Sequence, residues 1–380
     1  MDWTCVRFVS TRFRHLLVIQ ILVALAGASA GIFGIVYLAK EGVAPGQGFS
    51  LAEAPLFYLF GFFFAAIFCV VMSWKPSINA KLAMSLGIIF YGLTFLSLAL
   101  FRGIILLILV PIFYGISIPL FYLPFNTLVI KKTTPENRGF RMGAVFLSFT
   151  ITAVLGPIMA GALIDWMGYV ALFTFALILL GMDVFVILIT ISKVQELSFQ
   201  VDFSRFGMRN NMALFFEGCY EGLFYALIPL ITLTFILKET ELGLIFSIFA
   251  LAGGVMTVIL GFASDRIRRR HVFLWAGALA SSVFAAIVAY APNLGIFIGG
   301  NSLLQLTSSI APLFIFAMVA DIGEKDPAGV AVTREVLLNS GRAFSLALYF
   351  FAALAGVGIQ VFFVTASIFL IMILTGKEPD

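Results

Sequence analysis

The chain has 380 residues, 62% of them hydrophobic and 11% charged, with a net charge of +4 and a mean hydropathy of +1.12. A soluble domain is about 25% charged and at most about half apolar, so water solubility is excluded, as are disorder, a collagen repeat and a coiled coil. Two His and three Cys leave little for a metal centre or a disulfide framework.

A bilayer-spanning helix needs about 20 apolar residues. Twelve stretches qualify, at about 16–38, 54–73, 82–100, 103–130, 142–164, 169–192, 208–237, 242–263, 272–291, 294–320, 335–355 and 358–375. Twelve helices of about 20 residues use about 240 and leave no loop long enough for a separate catalytic domain. Barrel strands are excluded, because these segments are too long and lack strict alternation. The first stretch follows Arg7, Arg12 and Arg14 and is longer than the ~7–15-residue core of a signal peptide, so it is expected to be a retained anchor. Gln20 is its main polar group. The fourth stretch contains Pro111, Pro119 and Pro124 beside Tyr114 and Asn126. Three prolines predict a bent or broken helix whose freed carbonyls need protein or water. In the fifth, Gly143, Gly156, Ala160 and Gly161 admit a close neighbour, and Pro157 removes a backbone bond. Asp183, in the sixth, is expected to be a local packing partner.

The segment KVQELSFQVDFSR, Lys193 to Arg205, is the least apolar long connection. The seventh stretch then places Glu217 and Glu221 four residues apart, on one helix face. A charge at the centre of a spanning helix costs about 2.5–3.5 kcal/mol on the insertion scale, so such groups must be paired, protonated or wet. Burial and mutual repulsion leave one carboxyl able to exchange protons near neutral pH. Tyr220 and Tyr225, with Tyr114 and Tyr122, offer rings and hydroxyls to a partly apolar ligand. The tenth stretch carries Asn301, Gln305, Thr307, Ser308, Ser309 and Pro312. In the eleventh, Arg342 is the one cation inside a span, and Asn339 and Glu335 share its helix face. A buried Arg needs a partner, and Glu217 or Glu221 is the natural candidate, with a substrate anion as the rival.

Nineteen of the 23 Lys and Arg fall on one side of this arrangement, three (Lys40, Arg102, Lys238) on the other, and Arg342 within a span. The positive-inside rule then puts both termini in the cytoplasm. The basic residues read as membrane anchors and not as a nucleic-acid surface. An offset near 195 relates Gly27 to Gly222, Arg14 to Arg209 and Arg138 roughly to Arg334. Residues 1–192 and 207–380 are thus expected to form two parallel halves about a central cavity, joined by a cytoplasmic linker at 193–206.

The segment Gly261-Phe262-Ala263-Ser264-Asp265-Arg266-Ile267-Arg268-Arg269-Arg270 resembles the loop signature G-x-x-x-D-[RK]-x-G-[RK]-[RK] of the major facilitator superfamily, with Arg268 where that family usually has Gly. The corresponding first-half loop, Ser73 to Lys81, has no Asp. The fifth stretch is similar to the G-x8-G-x3-G-P-x2-G-G signature of drug/proton exporters, with Thr152 and Ala160 as departures. Many proton-coupled members carry an Arg three residues before Gln-Gly in span four, where this chain has Pro111 and Tyr114-Gly115. The resemblance covers nearly the whole chain. It implies an all-α integral membrane protein of twelve transmembrane helices in two six-helix bundles, with spans one, four, seven and ten lining the cavity. Gly261, Asp265, Arg266 and Arg138 would then belong to cytoplasmic gate contacts, with the Asp265 carboxylate held by a helix dipole and nearby Arg. Gly156, Pro157 and Gly161 would form the interface on which the halves rock.

The function expected is secondary transport of a small molecule by a multi-pass protein of the cytoplasmic membrane, with proton-coupled export of an amphipathic compound as the leading form. Uptake or facilitated diffusion of a metabolite, and a transporter-like sensor without flux, are the alternatives. The expected site joins Glu217, Glu221, Arg342, Asn339, Gln20, Tyr114, Asn126, Tyr220, Asn301 and Gln305. There is no Gly-x4-Gly-Lys-Ser/Thr loop for ATP, and His15 and His271 both sit beside basic loops, which disfavours an enzyme. No cofactor or metal is expected; the partners are a substrate, protons and lipid, and the chain is expected to be monomeric.

Overall fold

A computed structural model describes residues 11–132, 138–192, 195–264, 270–310, 312, 315, 319, 322 and 326–375. In chain order, α1 (Thr11–Ala26) runs through a π-turn (Gly27–Gly31) into α2 (Ile32–Glu41). Then come α3 (Leu56–Ser73), α4 (Ala80–Leu100), α5 (Ile104–Lys131), α6 (Arg138–Met167), α7 (Tyr169–Thr190), α8 (Gly207–Phe235) and α9 (Glu239–Ser264). The chain continues with α10 (Arg270–Ala289), α11 (Leu294–Ser308), α12 (Pro327–Leu354) and α13 (Ile359–Met372). Nine helices among the described residues are long and apolar enough to cross a membrane, counting α1 to α2 as one; α13 and the apolar part of α10 are shorter. Large apolar side chains such as Phe63, Phe185 and Ile189 stand exposed on helix surfaces, as expected where lipid is the solvent.

Local chemistry sets the helix ends. The side chains of Asn79, Asn293 and Asp326 accept from Leu82, Ile296 and Gly329 N–H groups, each at 3.0 Å, and so cap α4, α11 and α12. Pro327 follows its cap at the first helical position, where its missing N–H costs nothing. Gly103 and Gly168 turn the chain into α5 and α7 at φ of 70° and 83°, a region that disfavours side chains.

Of the bent or broken fourth span expected, the break is not found: α5 is helical from Ile104 to Lys131 through all three prolines. The neighbours explain this. Gly115 faces the Gly61 carbonyl of α3 so closely that an added Cβ would lie 2.5 Å from it, and a Cβ on Gly87 of α4 would lie 2.6 Å from the Phe121 nitrogen. Close packing of two helices onto α5 offsets the backbone bonds the prolines remove.

The most extensive contacts between the helices before residue 193 and those after 206 are α6 on α9 and α3 on α12, with smaller ones of α5 on α12 and α2 on α8. Along the first, an added Cβ at Gly161 would overlap the Glu239 carbonyl, and one at Gly243 the Pro157 carbonyl. Ser247 donates to the Val154 carbonyl at 2.6 Å. Gly156 of the same helix backs onto the π-turn, where its Cβ would lie 2.8 Å from that of Ala28. The small residues of α6 therefore serve two interfaces.

The connecting segment is fastened at both ends. Strand β1 (Ile78–Asn79) pairs antiparallel with β2 (Glu196–Leu197), and Ala80 N–H donates to the Gln195 carbonyl at 2.8 Å. Leu197 and Phe199 are buried. Further on, Asp202 N–H donates to Thr333 Oγ1 of α12 at 3.0 Å. Arg205 bonds Asp202 at 3.1 Å and also pairs with Asp326. At the opposite end of the bundle, Lys40 pairs with Glu239, Tyr169 donates to Glu239 at 3.0 Å, Asp165 accepts from Thr240, and Tyr349 donates to the Leu51 carbonyl at 2.8 Å.

Two predictions follow from these contacts. Bonds from Ser204 and Arg205 hold Asp202 below its ordinary carboxylate range; at Asp326 partial burial is the largest single influence and works upward, but the bonds from Arg205 and the Gly329 and Ala328 N–H groups, with the Arg205 charge, together outweigh it and the carboxyl is again lowered. A lowered carboxylate stabilises the fold above its ordinary value near ~3.9, and that contribution is lost as the pH falls below it. Asp326→Ala removes both the cap and the Arg205 partner at a cost of about 1 kcal/mol, seen as roughly fivefold faster hydrogen exchange over residues 327–333. Lowering the pH from 7 to 3 should reproduce much of that change in the parent protein and little of it in the variant. Gly161→Val should separate α6 from α9. In a background lacking the native cysteines, oxidative cross-linking of an Asp165→Cys, Thr240→Cys pair should fall several-fold when Gly161→Val is added.

Candidate functional site

Glu217, Glu221 and Tyr225 follow one another at four-residue spacing along α8, and α12 carries Arg334 and Glu335, then Asn339 four residues on and Arg342 three further. The two helices approach closely because three glycines admit them. Added Cβ atoms at Gly218 and Gly341 would overlap the Leu338 and Phe215 carbonyls, and one at Gly222 would lie 2.7 Å from Arg342 Cα. The acidic stripe of α8 thus meets the basic stripe of α12.

The result is a continuous polar ladder. Arg342 donates to Glu221 Oε2 from Nε at 3.0 Å and from Nη2 at 2.6 Å, and from Nη1 to Asn339 Oδ1 at 3.0 Å. Asn339 donates to the Glu335 carbonyl at 2.8 Å and to its carboxylate at 3.2 Å. Glu335 accepts from Arg334 at 3.1 Å, and Arg334 stands 3.8 Å from Glu217. Glu217 is fully buried, and neither of its carboxylate oxygens has a hydrogen-bond partner among the described residues. Charged hydrogen bonds are the strong ones. The Arg342 end of the ladder is held tightly, and the Glu217 end only by Coulomb attraction.

Aromatic rings close over the Arg342 end. Its guanidinium lies 5.1 Å from the centroid of Phe62 and 5.9 Å from that of Tyr225, within cation–π range. Phe62 belongs to α3, so this contact crosses from the second set of helices to the first. Around it, Tyr58 stacks on Phe62 at 5.7 Å, and Tyr114 meets Phe57, Tyr58 and Phe62 at 5.2–6.1 Å. Tyr114 also lines a cavity of about 60 Å³ with Tyr91, Ser117 and Tyr122. The Tyr91 hydroxyl faces the π-turn, where a Cβ on Gly27 would lie 2.9 Å from it. π-turns interrupt helices mainly at functional sites.

Of the residues expected from sequence, Glu221, Arg342, Asn339 and Tyr114 come together here, and Glu217 joins at the far end of the ladder. Tyr220 is buried and packs edge-on to Phe224 at 5.4 Å, in the core of α8 and its neighbours. Asn126 is half-buried on α5. Gln20 and Asn301 are fully buried with no hydrogen-bond partner among the described residues. Gln305 is half-buried and its carbonyl accepts from Ser309 at 2.7 Å. Gly156, Pro157 and Gly161 lie in the interfaces of α6. Asp265 and Arg266 fall outside the described residues, as do the surroundings of Gly261 and Arg138.

The partner of Glu217 is Arg334, which sequence reasoning places among the loop cations. Residues 326–329 held the signal: Asp-Pro-x-Gly is a cap followed by a first-turn proline, and it starts α12 eight residues ahead of the apolar run at 335. Arg334 then lies two turns inside the helix. Phe62 carries no such signal, since nothing in an apolar run distinguishes a ring that will meet a cation from one that will meet lipid.

Breaking a buried pair by removing one partner costs about 3–5 kcal/mol, whereas removing both is often near neutral. Glu221→Gln or Arg342→Gln alone should therefore lower the unfolding temperature of purified protein by several degrees, and the double variant should recover much of the loss. Additive losses would mean that the pair is not coupled.

No family model matches the chain. The uncharacterized protein YqgE of Bacillus subtilis (strain 168) is 26% identical to it over 293 residues, which span 71% of this chain and 67% of that protein. The crystal structure of the human organic anion transporter MFSD10 (TETRAN), a major facilitator superfamily protein, superposes with a TM-score of 0.66 at 16% identity, covering 98% of this chain and 99% of that one. The chain is a multi-pass membrane protein with the major facilitator fold.

Proposed function

We propose that the chain is a secondary transporter that works by alternating access, and that it couples export of a small amphipathic compound to proton movement. In this reading residues 1–192 and 207–380 are two six-helix bundles, twelve spans in all, joined by the 193–206 linker, with both termini in the cytoplasm. The observation that carries the reading is the buried ladder of Glu217, Arg334, Glu335, Asn339, Arg342 and Glu221, which ends under a canopy of rings contributed by both bundles. Ionisable residues kept inside membrane helices at such cost mark ion or substrate pathways by default.

The steps follow from the unequal grip on the two carboxylates. Glu217 has no hydrogen bond to lose, so it accepts a proton at the least expense. With Glu217 neutral, Arg334 is left to Glu335, the hold of Glu335 on Asn339 slackens, and the Arg342–Glu221 pair is free to shift. Arg342 touches Phe62 across the bundle boundary, so its movement is felt by both bundles. The contacts of Lys40 and Asp165 with Glu239 and Thr240 act as the outer gate, closed in this arrangement. A substrate lying among Tyr58, Phe62, Tyr114 and Tyr225 finds rings, hydroxyls and one paired cation, which suits a partly apolar molecule.

A second reading rests on Arg342 itself. The human structural relative is described as an organic anion transporter, and Arg342 is the one cation under the rings. A carboxylate-bearing substrate would compete with Glu221 for it, and the released Glu221 would take up the proton.

Purified protein in liposomes with an imposed pH gradient tests the coupling. Glu217→Gln should abolish gradient-driven flux of a transported dye while leaving the unfolding temperature near that of the parent. Full gradient-driven flux in the variant would refute the role given to Glu217. Inhibition of dye flux by aromatic carboxylates, and not by aromatic amines, would favour the second reading.

A further inference from the structure

A second buried carboxyl lies outside the ladder. Asp183 of α7 is fully buried, and neither of its oxygens has a hydrogen-bond partner among the described residues. Two other buried side chains share its condition. Both amide atoms of Gln20, on α1, lack partners, and so does the hydroxyl of Ser85, on α4. These helices both pack against α7, as α6 also does.

The three residues lie at similar distances from the ends of their helices. At about 1.5 Å of rise per residue, Asp183 is roughly 10 Å from the end of α7 at Thr190. Ser85 is roughly 8 Å from the start of α4, and Gln20 roughly 13 Å from the start of α1. Lys81 of α4 donates to the Leu188 carbonyl of α7, which fixes those two helix ends at the same level. Asp183 also falls on the buried stripe of α7 with Leu172, Phe173, Ala176, Leu180 and Ile187.

An ionised carboxylate left without a hydrogen-bond partner, as Asp183 is among the described residues, costs several kcal/mol to bury. A neutral carboxyl differs in kind: it donates through its O–H and accepts through its carbonyl, and the Gln20 amide and Ser85 hydroxyl each offer the complement. The charged and titratable groups on the packed helices are engaged elsewhere or lie at other levels. Lys81 is bonded to Leu188, and Arg141 of α6 lies over the Phe13 ring and donates to the Lys132 carbonyl. Arg14 and His15 occupy the first turns of α1; Tyr37 meets Tyr169 and Phe173, and Asp165 meets Thr240, both at the other end. Tyr91 of α4 lies against Tyr114. Tyr122 of α5 is within electrostatic reach of Asp183 and lines the Tyr91–Tyr114–Ser117 cavity.

We propose that Asp183, with Gln20 and Ser85, is a proton-binding site within the N-terminal helices, separate from the Glu217 ladder. One proton enters from water by way of the hydroxyl-lined cavity, resides on the Asp183 carboxyl, and leaves by the same groups. Asp183, expected from sequence to be a packing partner, thus forms with Gln20 and Ser85 a second proton store, which serves coupling only if the reading of the chain as a proton-coupled transporter holds.

Infrared difference spectroscopy of the purified protein, stepped between acid and alkaline pH, reads proton occupancy without requiring flux. A protonated-carboxyl stretching band should be present in the parent, absent in Asp183→Asn, shifted in frequency in Asp183→Glu, and unchanged in position in Glu217→Gln apart from the loss of that residue's own band. A spectrum of Asp183→Asn identical to the parent would overturn the site. If Asp183→Asn does not fold, the Asp183→Glu shift decides, and its absence is equally fatal. A band that moves when sodium replaces choline at constant pH would identify a sodium site and also overturn it. Failure of Glu217→Gln to stop transport would leave this result untouched, so the two proposals stand or fall separately.

Discussion

Arg342 faces two demands at once. A guanidinium inside an apolar bundle has to be matched by a carboxylate and have its donors filled, and the α8–α12 packing must leave room for that match. Glu221 and Asn339 meet the first demand, taking three of its donor contacts at 2.6–3.0 Å. Gly218, Gly222 and Gly341 meet the second by removing side chains where the helices touch. Neither is sufficient alone. With bulkier residues at those glycines the carboxylate would stand too far away, and without the carboxylate the close helix approach would bury a bare charge. The remaining polar side chains of the ladder follow in register, because three- and four-residue spacing on α8 and α12 repeats the same meeting one or two turns along.

The same device, glycine against backbone, recurs between the two sets of helices and within the first. At Gly161 and Gly243 it brings α6 onto α9, and at Gly61 and Gly115 it brings α3 onto α5. Inside a bilayer no hydrophobic effect drives helices together, so close van der Waals contact has to do it. Such contacts are short-ranged and lose their hold after a small displacement. That property suits surfaces that must separate and re-form. The charged contacts at the two ends, Lys40 with Glu239 and Arg205 with Asp326, are placed where water can receive the freed groups.

How much of this was legible in the sequence depends on the length of the signal. Apolar stretches of about 20 residues give the helices to within a few positions, since a spanning helix must satisfy its own backbone. The pairing of Arg342 with Glu221 was legible as one of two candidates, because a cation inside a span admits few partners. Arg334 was not, because the apolar run that marks a helix begins after the helix itself does; the cap at Asp326 and Pro327 gave the true start. The unbroken course of α5 through three prolines was not legible, for a related reason. Proline's local cost is plain in sequence, whereas Gly61, Gly87 and Gly115, which let the neighbours offset it, are distant from one another or on other helices. Gln20 was expected in the cavity and Asp183 as a packing partner. Their shared lack of partners is a property of three dimensions and has no sequence pattern.

Charge parity carries the proposed coupling one step further. The ladder holds three carboxyls, at Glu217, Glu221 and Glu335, and two guanidiniums, at Arg334 and Arg342. Two cations cannot neutralise three anions, so a fully ionised ladder leaves one negative charge in the apolar interior. One added proton balances it, and the least bonded carboxyl takes it, which is Glu217, 3.8 Å from Arg334 and without a hydrogen bond. A cationic substrate would satisfy the same deficit. Proton and organic cation would then be alternatives for one charge, and alternatives for one charge exchange with each other. An anionic substrate reverses the arithmetic: it adds to the deficit and calls for two protons in place of one. In the proposed cycle the number of protons moved per substrate would therefore follow from the substrate's charge and the one carboxyl left unmatched, whichever way the cycle runs.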